Sequence, residues 1–300
     1  MIENQKDDQI SPSDFWKHPG EPQKGQKELK YMATKISEPR GSVQYPQHVQ
    51  VAIEDDSSSQ NDSRWYAKNE TYKQLIGNER TGFIKKVYSI MIIQLFITML
   101  MCLASYLLLD YRAFQLQHSG LAYLALGVSI FVELLLLCIP KFAWKVPYNY
   151  ILLFIFTFCE GYLISNLCSY VFDRFSENGG FIVLMATSFS LAVVIGLTLY
   201  ACKTKSDFTT KGALLFMCIT SLLLFGIMAG FYYQNVINLL YSLICCLLFG
   251  AYLIYDTQLI LGGNTHQLSI DDYIIGSMII YIDIVYLFAH ILMVLIACLR

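Results

Sequence analysis

Seven apolar runs dominate the chain after residue 80, at about 83–109, 120–139, 148–171, 180–201, 212–233, 236–261 and 273–299. A helix needs about 20 apolar residues to cross the hydrocarbon core of a bilayer. In lipid the backbone finds no water to bond, so a single spanning segment must satisfy its N–H and C=O groups within a helix. The runs therefore predict an all-α, polytopic membrane protein: a seven-transmembrane-helix bundle over residues 80–300. Only a few residues around Tyr233 separate the fifth run from the sixth, which makes those two an antiparallel hairpin.

Charge is spread very unevenly. The 300 residues are 55% apolar and 15% charged, yet residues 1–79 hold 13 of the 23 acids and five of the seven prolines. That stretch is rich in Gln, Ser, Lys and Glu without a sustained period, and is expected to be a disordered, cytosolic polar tail. Its polar start does not resemble a signal peptide, so the first apolar run is expected to act as an uncleaved anchor. Asn61 and Asn69 head glycosylation sequons that a cytosolic tail leaves unused. A net charge of −2 without a basic patch argues against a nucleic-acid partner. All nine cysteines lie after residue 100, none at metal-ligand spacing, and they read as packing residues. A GxxxG at Gly226 and Gly230 reads as simple helix packing. No metal-ligand cluster, nucleophile with a base or phosphate loop is written in the chain, so an enzyme is not expected and no cofactor is called for.

Lysines and arginines at the flanks set orientation. One side carries nine: Lys73, Arg80, Lys85, Lys86, Lys141, Lys145, Lys203, Lys205 and Lys211. The other carries three: Arg112, Arg174 and Arg300. The first side is expected to be cytosolic, with the C-terminus on the lumenal or exterior face.

Four acids fall well inside the runs, Glu133, Glu160, Asp256 and Asp283, and apart from Lys85 and Lys86 at the start of the first run no lysine or arginine does. A charged side chain at a membrane helix centre costs roughly 2.5–3.5 kcal/mol on insertion scales. At 1.5 Å per residue the four lie roughly 8 to 18 Å from the cytosolic end, as a shared polar cavity requires. Asp256 and Asp283 stand on adjacent runs. Two carboxyls in contact share one proton and titrate as a pair; a hard, oxygen-seeking cation such as calcium is the other way to neutralise them. Tyr252, Tyr255, Gln258, Tyr281 and Tyr286 stand near them in sequence as hydroxyl or amide partners, and Lys141 and Lys145 stand at the cytosolic mouth of the second run. His290, two turns beyond Asp283, reads as a packed histidine. Glu133 and Glu160, taken singly, also suit structural hydrogen bonding.

Four stretches carry a family resemblance: RTGFIKKVYSIMIIQLFIT, PYNYILLFIFTFCEG from Pro147 to Gly161, GAYLIYDTQLILGG, and LSIDDYIIGSMIIYIDIVYLF. Tyr-Asp-Thr-Gln followed by Tyr-Ile-Asp-Ile is the most specific part. Over residues 80–300 the chain resembles the transmembrane Bax inhibitor motif (TMBIM) family, nearest its lifeguard branch. The resemblance implies six spans around a central seventh, and a pH-sensitive calcium leak of endomembranes with suppression of cell death. It implies Asp256 and Asp283 as the pH-sensing, gating pair and Glu133 as an acid that affects calcium. With Glu160 these form the expected calcium pathway, with Glu133, Asp256 and Asp283 as the calcium-binding set. The arginine latch of bacterial relatives has only Lys141 and Lys145 in its place, and a lysine does not fork onto two carboxylates. Expected partners are the lipid bilayer, calcium ions and other membrane proteins of cell-death or calcium signalling. The endoplasmic reticulum or Golgi is the expected location, with the plasma membrane as the alternative. The rival function is a non-conducting membrane protein that regulates apoptotic signalling by binding partners.

Overall fold

A computed structural model describes residues 62–231, 235–262 and 265–299. Every regular element among them is helical: α1 (Asp62–Leu107), α2 (Leu109–Gln117), α3 (Ser119–Cys138), α4 (Pro140–Trp144), α5 (Tyr148–Arg174), α6 (Gly179–Lys203), a 3-10 turn (Thr209–Lys211), α7 (Gly212–Phe231), α8 (Asn235–Leu261) and α9 (Tyr273–Cys298). Seven helices are long and apolar enough to cross a membrane, over Gly77–Leu107, Ser119–Cys138, Tyr148–Arg174, Gly179–Lys203, Thr209–Gly226, Val236–Leu261 and Tyr273–Cys298. These match the seven apolar runs within several residues at most boundaries, because helix length is set by the same hydrocarbon thickness that sets run length.

Two features depart from the run pattern. Helix α1 begins at Asp62, so residues 62–79, read from composition as tail, are helical. Extending a formed helix adds one bond per residue fixed, and Lys, Gln, Glu and Arg in that stretch are good helix formers. The second is α2, a nine-residue helix inside what reads as a polar connector. The rest of the tail, with Asn61, and the turn at Tyr233 lie outside the described residues.

Helix α9 is central. It packs on α8, α6, α5 and α4, and meets α1 where Tyr281 bonds Thr98. Its Ile274, Met278, Ile280, Tyr281, Leu287 and Leu292 are all but inaccessible. The outward faces of the bundle are apolar: Ile92 and Phe96 on α1, Phe131 on α3, Leu191 on α6, and Leu223 and Leu224 on α7 are all exposed. Apolar surface this extensive suits acyl chains rather than water. Hydroxyls on the same faces turn back onto their own helix: Thr187 to the Val183 carbonyl, Ser188 to Leu184, Thr220 to Phe216 and Ser221 to Met217, all at 2.8–2.9 Å. Each polar group is thereby satisfied without water.

Close helix approach is built by small residues. On α5, Gly161, Ser165 and Ser169 recur every fourth position and so share one face. A Cβ on Gly161 would lie 2.8 Å from Met101 Sδ and 3.5 Å from the Thr98 Cα. Ser165 donates across to the α1 backbone at Met101 O, 3.0 Å away. Gly226 on α7 likewise admits Tyr241 of α8, whose hydroxyl lies 2.6 Å from where a Cβ would sit.

Candidate functional site

The antiparallel pair α8 and α9 packs extensively, and each helix carries one buried aspartate. Asp256 is 7% exposed and Asp283 3%. The two carboxyls are neighbours that interact electrostatically, and Asp283 Oδ2 is buried without a hydrogen-bond partner. Tyr252, one turn before Asp256, lies within electrostatic range of both. Two carboxyls so placed hold together through a shared proton; with neither protonated they repel.

The other acids form a second group. Glu160 on α5 is 2% exposed. Its Oε1 accepts from the Tyr286 hydroxyl at 3.3 Å, and Oε2 is buried and unpartnered. Ser129 and Glu133 of α3 are its other polar neighbours. Glu133 of α3 thus lies beside Glu160 of α5. The reason is packing: α3 lies against α5, and is not among the helices that pack on α8 or α9. Among the described residues, no three His, Cys, Asp or Glu side chains are arranged to hold a metal ion. One helix turn along α9 separates Asp283 from Tyr286, so the two carboxyl groups of sites lie near each other without merging.

The partners read from sequence are mostly engaged elsewhere. Tyr281 meets the Thr98 hydroxyl at 2.7 Å, and Thr98 in turn donates to the Gln94 carbonyl at 3.1 Å. Gln94 Nε2 donates to Thr157 at 2.9 Å, which completes a polar crosspiece from α9 through α1 to α5. Tyr255 packs on Gly212. His290 is stacked on Phe249 with ring centroids 5.7 Å apart and meets Tyr241 edge-on at 5.9 Å, the packed histidine expected. Lys141 and Lys145 are exposed, and Lys145 Nζ lies 5.4 Å over the Tyr148 ring.

The cation that does reach this region is Arg80, which the sequence presents only as a flank charge. Its guanidinium donates to three carbonyls around the end of α8: Leu268 O at 2.6 Å, Leu259 O at 2.8 Å and Leu261 O at 3.3 Å. The last carbonyls of a helix lack intrahelical donors and carry the negative end of its dipole, so a guanidinium there satisfies both. Gly262 turns the chain with φ +73°, and a Cβ on it would lie 2.9 Å from Arg80 Nε. The same α8–α9 connector is held from two other sides. Asp207 Oδ2 accepts from the Thr265 amide at 3.1 Å and hydroxyl at 2.6 Å, while Oδ1 accepts from the Thr209 amide at 2.9 Å and hydroxyl at 2.5 Å. The Thr209 and Thr265 hydroxyls hold the Asp207 carboxyl well below the usual carboxylate range. Trp144 Nε1 donates to Asp272 at 2.8 Å. Gln258, two residues after Asp256, accepts from the Phe208 amide at 2.8 Å and donates to Ser206 O at 3.0 Å. The segment after Asp256 and the connector beyond it are thus tied to α1, to the α6–α7 connector and to α4.

At the opposite end, Gln115 of α2 is fully buried. Its Oε1 accepts from Ser105 at 2.8 Å and Ser169 at 2.6 Å, and its Nε2 donates to Ser165 at 3.0 Å and Tyr111 at 3.1 Å. All four side-chain hydrogen-bonding positions of the amide are thus occupied.

Residues 80–298 match the family model described as "Inhibitor of apoptosis-promoting Bax1". Protein lifeguard 3 of Homo sapiens is 33% identical over 217 residues, covering 71% of this chain and 68% of that protein. Protein lifeguard 3 of Mus musculus is 31% identical over the same shares. An uncharacterized protein of Campylobacter jejuni is 29% identical over 238 residues, 77% of this chain and 95% of its own.

Proposed function

The chain belongs to the transmembrane Bax inhibitor motif family, on its lifeguard-like side, and from that premise we propose that it is a passive, proton-gated calcium leak of an endomembrane whose activity restrains cell death. The observation that carries this reading is the burial of Asp256 and Asp283 as electrostatic neighbours on the packed pair α8 and α9. With one proton between them the carboxyls form a hydrogen bond across the α8–α9 seam and hold it shut. Loss of that proton leaves two negative charges together. At 4 Å and an effective dielectric of 20 their repulsion is about 4 kcal/mol, on the scale of a membrane helix contact. The seam then relaxes, and a divalent cation neutralises the pair as it passes. Calcium suits the donor set, which is carboxylate, phenol and hydroxyl oxygen. Glu160 and Glu133, with Tyr286, supply a second stage. Transit is better served by two separate weak stations than by one closed cage.

The sign follows directly. Acid keeps the pair protonated and the leak closed, and flux rises as pH rises. The basic ends place the tail and the Arg80 clamp in the cytosol in this reading, with the endoplasmic reticulum or Golgi as the location.

The test is calcium flux into liposomes carrying the purified full chain, measured across pH. The reading expects Asp256→Asn with Asp283→Asn to abolish the pH response. An unaltered flux and pH response in that double variant overturns the gate. Absence of flux from the unmodified protein overturns conduction itself and leaves the partner-binding function.

A further inference from the structure

Nine cysteines are distributed through the bundle, and one pair of them is in contact across two helices: Cys102 of α1 and Cys168 of α5, with their sulfurs 3.9 Å apart. Cys245 and Cys246 are sequence neighbours on one helix and point in different directions. Cys138, Cys202, Cys218 and Cys298 are exposed. The contact is held by what flanks it. Ser165, three residues before Cys168, donates to the Met101 carbonyl at 3.0 Å and meets the Ser105 hydroxyl at 2.5 Å. Gln115 ties the same two serines together. Gly161, further back along α5, lets the helices approach. To bond, the two sulfurs must close from 3.9 Å to about 2.05 Å. Cys102 lies five residues before the end of α1, about 7.5 Å deep. That end has few bases and is therefore the lumenal one, where thiols are oxidised.

We propose that Cys102 and Cys168 are a redox-modifiable pair that forms a disulfide locking α1 to α5. Each thiol gives up a proton and an electron, one S–S bond forms, and the two electrons reduce either a peroxide to water or an external disulfide to two thiols. The lock acts on the helices that carry Thr98 and Glu160, so it stiffens the crosspiece to Tyr281. The pair itself owes nothing to calcium conduction and is tested apart from it.

The full chain in lipid nanodiscs is treated with hydrogen peroxide or oxidised glutathione, then unfolded, alkylated and mapped without reduction. The expected result is a fall in free thiols from nine to seven, one linked peptide pair joining Cys102 to Cys168, and a rise in Tm of several degrees that a reductant reverses. Cys102→Ser and Cys168→Ser each remove the linked pair and the Tm shift. Both sulfurs recovered as alkylated thiols after oxidation, or either one found only on glutathione or on another cysteine, overturns the proposal.

Discussion

Arg80→Ala tests how the connector beside the aspartates is held. The guanidinium makes two short bonds, 2.6 Å to Leu268 O and 2.8 Å to Leu259 O, and one longer bond of 3.3 Å to Leu261 O. Hydrogen bonds from a charged donor contribute about 1.5–3 kcal/mol each. The site is half-buried, so water recovers part of what the carbonyls lose, and the lower end applies. Two such bonds sum to about 3 kcal/mol. Arg80→Lys keeps the charge and one bond, and should lose about half of that. The readout is amide exchange at Gly262 and Leu268, whose N–H groups bond Gln258 O at 3.0 Å and Leu259 O at 3.1 Å. Those bonds break when the connector opens, and 3 kcal/mol speeds exchange roughly 150-fold, at 1.36 kcal/mol per tenfold. Lysine should give roughly 10-fold. If alanine leaves both amides within about threefold of the unmodified protein, the clamp contributes little and the reasoning fails.

Two further outcomes follow from the polar clusters. Gln115→Ala removes the partner of Ser169 and leaves its hydroxyl buried alone; together with the lost packing this should lower stability by about 2–3 kcal/mol, read from denaturant unfolding in detergent. Asp207 has its carboxyl held below the ordinary range by Thr209 and Thr265, so its stabilising contribution is complete above the unfolded value of about 3.9 and is lost only as pH falls through the lower folded value. Exchange at the Thr265 and His266 amides, corrected for its intrinsic pH dependence, should therefore stay level from pH 7 to pH 5, and Asp207→Asn should raise it throughout.

What sequence revealed and what it concealed divide along a physical line. Span lengths were readable because bilayer thickness fixes them one run at a time. The aspartate pair was readable because an acid within an apolar run is costly wherever its helix sits. Grouping was not. Glu133 and Asp256 lie at similar depths, but which neighbour α3 chooses depends on the faces of several helices at once. Arg80 was hidden for a related reason: its partners are backbone carbonyls 179 to 188 residues away, and carbonyls leave no mark in a sequence. Gln115 sat in a stretch whose polarity reads as loop. The spacing of Gly161, Ser165 and Ser169 was available as a signal of close packing, and it marks the helix face that α1 meets.

The burial of Gln115 bears on how the protein is made. Its donors and acceptors come from α1, from its own helix and, for Ser165 and Ser169, from α5, which leaves the ribosome some 50 residues later. Until α5 arrives, the amide has half its partners and α2 has no seat. The first three helices can enter the bilayer in order, but the end of the bundle that holds Gln115 cannot close until the chain has returned with α5. A stalled or truncated product ending before Ser165 should therefore carry an unsatisfied glutamine at the membrane surface, the kind of lesion by which a quality-control protease distinguishes an unfinished bundle from a finished one.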